Sequence, residues 1–191
     1  MKIIRKKEFI TRQWSGGSST ELYIFPHTSN YSDRNFDFRF STAIIEQAES
    51  EFTSLPGVER ILMLLEGKLI IRHAAHYEKE LFPFDSDQFS GSWNTSSVGT
   101  GRDLNLMLCN GASGSIRAIE IPTGERWELQ SEPSWNSHDL FWLYKGKLDH
   151  PDGKEFLSEG DLLIYSPEEN EFPIGNAKED CILIHAVVKI P

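Results

Sequence analysis

The chain has 191 residues, 39% hydrophobic and 25% charged, which is enough apolar content for a real core and too much for a disordered segment. A net charge of −10 repels phosphate backbones and argues against nucleic acid as a partner. No stretch approaches the ~20 apolar residues of a membrane helix, and nothing apolar follows the basic opening Met1–Phe9, so neither membrane insertion nor a secretory leader is expected.

Along the chain, helical periodicity is scarce. The opening cations Lys2, Arg5, Lys6 and Lys7 read as a solvated strand edge. Gly16-Gly17-Ser18-Ser19 follows Trp14 and leads into a strand-like run, Glu21–Phe25. A phosphate loop would lead into a helix, so this segment reads as a turn. Short apolar runs bounded by Gly, Pro, Asn, Asp or Ser then recur over Phe36–Ile45, Ile61–Leu65, Lys68–Arg72, Asp103–Cys109, Ile116–Ile121, Asp139–Tyr144, Asp161–Tyr165 and Cys181–Val188. This spacing predicts an all-β sandwich or barrel. Cys109 and Cys181 fall inside apolar stretches and are expected as buried free thiols in a reducing, cytoplasmic setting.

An internal echo divides the chain. Leu64-Leu65-Glu66-Gly67-Lys68-Leu69 is answered by Leu143-Tyr144-Lys145-Gly146-Lys147-Leu148. Each is an apolar strand, a charge-Gly-Lys turn and a new strand. In the second half Gly160-Asp161, Ser166-Pro167 and the closing run Ile182–Val188 follow, a pattern similar to the cupin barrel. The expected fold class is all-β, a double-stranded β-helix (jelly roll) repeated as two cupin barrels, residues 1–112 and 113–191, packed as one compact unit.

Six histidines occur (27, 73, 76, 138, 150 and 185), none in a His-x-His pair, and His73 and His76 would lie on opposite faces of a strand. A catalytic metal needs about three such ligands, so no metal and no cofactor is expected. No Gly-x-Ser-x-Gly elbow is present. Strand alternation is more informative. In Phe38–Ala43, Arg39 and Ser41 share one face; in Asp103–Leu108, Asp103, Asn105 and Met107 do. Arg60 stands at the mouth of the strand Ile61–Leu65 and carries a planar fork suited to a carboxylate. In a barrel such a face lines a small-molecule pocket. Equally, Arg39 or Arg60 could pair with Asp103 as an internal bridge, whose disruption would cost ~3–5 kcal/mol with or without a ligand. Trp14, Phe52, Trp93, Trp127, Trp135 and Trp142 are expected in core or rim packing.

At these residues the chain resembles the HutD/Ves family of bicupin proteins. Trp14 with Gly16-Gly17 and Thr20-Glu21 is similar to its opening segment, and Phe38-Arg39-Phe40-Ser41-Thr42-Ala43 to its aromatic-Arg-x-Ser-x-Ala strand. Phe52–Arg60 resembles its Pro-Gly turn ending in arginine; Leu65-Glu66-Gly67, Phe89-Ser90-Gly91 and the Asp103-x-Asn105-x-Met107 strand follow in order. The matches span residues 14–107. Ser15, Thr53 and Leu55 depart mildly from the family pattern, and Leu108-Cys109-Asn110 stands where it often continues with arginine. The resemblance implies a protein that accompanies histidine degradation or a stress response and binds a small anionic, formylglutamate-like metabolite. It implies no catalytic set. The residues expected to bind are Arg39, Ser41, Arg60, Asp103 and Asn105; a homodimer is compatible with the sequence. The alternative is a cupin-type isomerase or hydrolase acting on a sugar or amino-acid derivative, with Asp103 as its general base.

Overall fold

The computed structural model describes residues 1–129, 136–165 and 173–191; Trp135, Ser166 and Pro167 lie outside the described residues. Nineteen strands occur among them. They begin with β1 (Lys2–Ile4), β2 (Ile10–Trp14), β3 (Gly17–Phe25), β4 (Phe38–Ile45), β5 (Glu49–Glu51) and β6 (Glu59–Gly67). Next come β7 (Leu69–His73), β8 (Tyr77–Leu81), β9 (Ser86–Ser90), β10 (Thr95–Val98), β11 (Gly101–Leu108), β12 (Ser113–Ile121) and β13 (Arg126–Glu128). The chain ends through β14 (Ser137–Lys145), β15 (Lys147–Asp149), β16 (Glu155–Ser158), β17 (Leu162–Tyr165), β18 (Ile174–Ala177) and β19 (Cys181–Lys189).

Two compact units result: Met1–Phe9 with Ser113–Pro191, and Ile10–Ala112. The first nine residues therefore group with the C-terminal unit and not with their immediate successors in the chain. Each unit holds two antiparallel sheets. In the unit of Ile10–Ala112 the orders are β2-β3-β4-β11-β6-β9 and β5-β10-β7-β8. In the other they are β1-β17-β14-β19-β12 and β13-β18-β15-β16. Both cores draw side chains from both of their sheets, as two half-buried sheets require. Leu62, Leu64, Ile45 and Phe89 meet Leu69, Ile71 and Leu81 in one; Phe141, Leu143, Leu163 and Leu183 meet Trp127, Leu148, Phe156 and Leu157 in the other.

The echoed hexapeptides are equivalent corners. Gly67 and Gly146 take φ of +88° and +94° where β6 passes to β7 and β14 to β15, a conformation that L side chains resist. The ladder slips at both corners, between Arg102 and Asp103 opposite β6 and between Leu143 and Lys145 on β14. A slip of this kind bends a strand from one sheet toward the next.

Arg5 and Lys6 are not merely a solvated edge. β1 pairs with β17, and Asp161 holds Arg5 and Lys6 just beyond the end of β1. Asp161 Oδ2 accepts from Arg5 Nη1 at 2.7 Å and from the Ser158 amide at 3.0 Å; Oδ1 accepts from the Lys6 amide at 2.9 Å. The Gly160-Asp161 pair of the sequence pattern is thus the socket of the N-terminal arm. Asp161→Ala leaves the Ser158 and Lys6 amides without their acceptor and the Arg5 guanidinium with only the Phe156 carbonyl, and should lower stability by about 3 kcal/mol in urea unfolding. A loss below about 1 kcal/mol would show that the arm contributes little.

Candidate functional site

The six-stranded sheet sets the site by register. Ser41 on β4 stands opposite Asn105 on β11, Ala43 opposite Asp103, and Arg39 opposite Met107, which in turn faces Arg60 on β6. Across β3, Glu21 falls beside Ser41. Because side chains alternate, all of these share one face, while Phe38, Phe40, Leu104 and Leu106 take the other and are fully buried. Apolar residues of the shared face close both ends of the polar group. Ile45, Leu62 and Leu64 belong to one core cluster, and Ile24 and Met107 belong to a second with Phe36, Leu55 and Val58.

The shared face lines a cavity of about 660 Å³, within the size of small-molecule sites. All five residues expected from the sequence line it: Arg39, Ser41, Arg60, Asp103 and Asn105. The bridge to Asp103, open at the level of sequence, is not formed. Arg39 instead donates from Nε to Glu21 Oε2 at 2.7 Å and from Nη1 to Ser41 Oγ at 2.9 Å, and it lies 4.5 Å over the Tyr31 ring. Arg60, 5% exposed, has no ion-pair partner within 4.0 Å among the described residues. Its guanidinium sits 4.8 Å over Phe52 and 5.3 Å over Phe89.

Six buried side-chain polar atoms among the described residues lack a hydrogen-bond partner, and five of them belong to residues that line this cavity: Ser50 Oγ, Arg60 Nε, Ser97 Oγ, Asp103 Oδ1 and Asn105 Oδ1. Buried polar atoms are ordinarily paired, so this concentration sets the cavity lining apart from the rest of the described interior. Burial lowers the Arg60 guanidinium to about 10, with Asp103 and Tyr31 opposing and Arg39 adding to the fall, so it stays charged at neutral pH. Burial raises the Asp103 carboxyl to about 7, against the pull of Arg60, the Ala43 amide and Arg102. The site therefore offers one unpaired cation, a carboxyl poised between its two forms, an amide oxygen and two hydroxyls.

Glu21, Tyr31, Phe52, Ser50 and Ser97 also line the cavity, and none of them is among the residues the sequence marks for binding. For Glu21 the signal was available, since it sits in the strand-like run after Gly17. Ser97, in the four-residue strand Thr95–Val98, carried none. Phe52 packs against the core, as expected, and its ring also floors the Arg60 guanidinium. Trp14 lines the cavity as well, and a Cβ on Gly16 would come within 2.2 Å of its ring, which is the physical content of the Trp-x-Gly-Gly segment. Trp93 packs against the core with Phe52, and Trp127 and Trp142 are buried.

The C-terminal unit treats the equivalent positions differently. In register with its echoed turn, Asp139 stands where Arg60 does, and the pair Arg117–His185 stands where Ser41–Asn105 does. There the polar groups satisfy one another. Arg117 Nε donates to His185 Nδ1 at 3.2 Å, so Nε2 carries the hydrogen and donates to Asp139 Oδ1 at 2.6 Å. His73 and His76 are not on one strand. His73 ends β7 between Thr95 Oγ1 (2.8 Å) and Asp87 Oδ2 (2.9 Å), and His76, in the turn, stacks on Trp93. Cys109 and Cys181 are buried free thiols. No helix among the described residues is long and apolar enough to cross a membrane.

A carboxyl whose folded value exceeds its unfolded one favours folding only when protonated. That contribution is complete below about 4 and is lost as pH climbs through about 7. Asp103→Asn should therefore gain stability relative to the parent chain progressively from pH 4 to 7 in chemical unfolding, and hold the gain above. A difference that stays flat with pH would contradict the buried, unpaired carboxyl.

The HutD family model matches residues 6–182. Protein Ves of Escherichia fergusonii is 29% identical, covering 87% of this chain and 96% of its own. Among solved structures, PA5104 of Pseudomonas aeruginosa superposes with a TM-score of 0.78 at 17% identity, covering 99% of this chain and 98% of its own. HutD of Pseudomonas fluorescens does so with a TM-score of 0.68 at 19% identity, covering 97% of each. At lower identity, a bacterial pirin of Escherichia coli (12%, TM-score 0.67) and an oxalate decarboxylase of Lactobacillus farciminis (11%, TM-score 0.71) share the cupin-like all-β fold. With the family model spanning nearly its whole length, the chain belongs to the HutD family.

Proposed function

We propose that this chain is a metal-free bicupin that binds a small carboxylate metabolite, formylglutamate-like in size and charge, in the cavity of its N-terminal half. The reading takes each half as one cupin barrel and places the protein in the cytoplasm, with a regulatory role in histidine utilisation or a stress response. Family membership supports the pathway. The site itself supports the chemistry, and one observation carries it: a buried, unpaired guanidinium shares a cavity with four other orphaned polar atoms.

Arg60 is the anchor in this reading. Its charge is free, and the Phe52 and Phe89 rings hold its fork in place. Arg39 is a supporting cation, since Glu21 already takes its Nε. Ser41 accepts from Arg39, which leaves its own O–H to donate to a ligand. Asn105 Oδ1 accepts from a ligand N–H or O–H. A second reading rests on Asp103 alone. A carboxyl near 7 inside a cavity has the value of a general base, and an isomerase or hydrolase would use it so. Turnover of a sugar acid or amino-acid derivative that is lost in Asp103→Asn would favour that enzyme.

A thermal-shift screen against histidine, urocanate, formylglutamate, glutamate and sugar acids checks the binding reading. One acid at 100 times its Kd should raise the midpoint by roughly 5–10 °C without added metal. Arg60→Gln should weaken that acid about 100-fold in calorimetry while the variant keeps a cooperative unfolding transition. Unchanged affinity would remove Arg60 from the site, and a shift that requires divalent metal would replace the metal-free reading.

A further inference from the structure

The cavity holds a buried carboxyl that no cation neutralises by contact. Asp103 is 4% exposed, its Oδ1 has no partner, and no cation stands within 4.0 Å of it among the described residues. Charged and titratable groups line the same cavity from every neighbouring segment. Arg60 comes from β6, Arg39 from β4, Glu21 from β3, Arg12 from β2 and Glu51 from β5, with Tyr31 and Asp33 from the segment between β3 and β4. Arg102, on the strand of Asp103 itself, donates to Thr42 Oγ1. Of the two buried arginines, Arg39 is occupied by Glu21, so Arg60 is the cation on which an incoming anion and Asp103 both depend.

We infer that the cavity takes up one proton, at Asp103, with each carboxylate it binds. The inference rests on the binding reading above and deepens it. An anion docked on Arg60 draws away the charge that stabilises ionised Asp103, and two negative groups then share one cation out of water. Protonating Asp103 removes the second negative charge. It also turns an orphaned acceptor into an O–H donor. The proton comes from solvent and no covalent bond changes. The carboxyl's midpoint near 7 in the free protein makes the uptake small at pH 6 and nearly complete at pH 8.

The experiment uses the whole chain with N-formylglutamate and formate as separate probes. Carbon-13 carboxyl NMR of the free protein, assigned on the parent chain through its backbone resonances, should find Asp103 titrating near neutrality. Calorimetry should find affinity about tenfold weaker at pH 8 than at pH 6. At pH 8, buffers of different ionisation heat should report uptake of about one proton, which Asp103→Asn abolishes along with the pH dependence. An Asp103 midpoint in the ordinary carboxylate range overturns the inference whatever binds, and is read on the parent chain even where the variant fails to fold. Equal affinity at both pH values overturns the inference while leaving the binding reading intact. Failure of both probes to bind at either pH overturns the two together.

Discussion

The site depends on the registration of β4, β11 and β6. Antiparallel pairing brings Ser41 to Asn105, Ala43 to Asp103, and Met107 between Arg39 and Arg60. A slip of one residue on any of these strands would turn its polar groups away and bring leucine or phenylalanine to the cavity. Leucines and phenylalanines on the opposite face hold the register by burial, so the same strands that form the core also aim the polar groups. The corner at Gly67 and the slip at Asp103 complete the arrangement.

Charge in the cavity is arranged unequally. Arg39 is neutralised by Glu21 at 2.7 Å, whereas Arg60 and Asp103 influence each other without touching. Leaving two such buried groups apart is unfavourable for folding alone. The C-terminal unit shows what a self-contained solution looks like: at the equivalent positions Arg117, His185 and Asp139 form a closed chain of hydrogen bonds. Duplicated strand patterns thus carry two different polar interiors, one satisfied from within and one with donors and acceptors to spare.

Alternation within a strand was legible in the sequence, because a period of two needs only the local order of residues. Arg39 with Ser41, and Asp103 with Asn105, follow from it, as do the long strands and the echoed turn. The short polar strands were harder to read. Tyr77–Leu81 is exposed at four of its five positions, and Thr95–Val98 is four residues long; neither carries the apolar periodicity that marks a buried strand. Ser97, on the second of these strands, went unread for that reason. The basic opening looked like a solvated edge because its acceptor, Asp161, lies more than 150 residues away.

By itself the sequence determined the all-β class, the repeated corner and the shared facing of Arg39 with Ser41 and of Asp103 with Asn105, since these are set by composition and by neighbours a few residues apart. Only the tertiary structure decided which charges meet. Arg39 found Glu21, Arg60 found two aromatic rings, and Asp103 found no cation within bonding distance, because those outcomes depend on strand order, register and burial across the sheet. Pairing and desolvation fix the charge of a buried group, and both are properties of the folded neighbourhood.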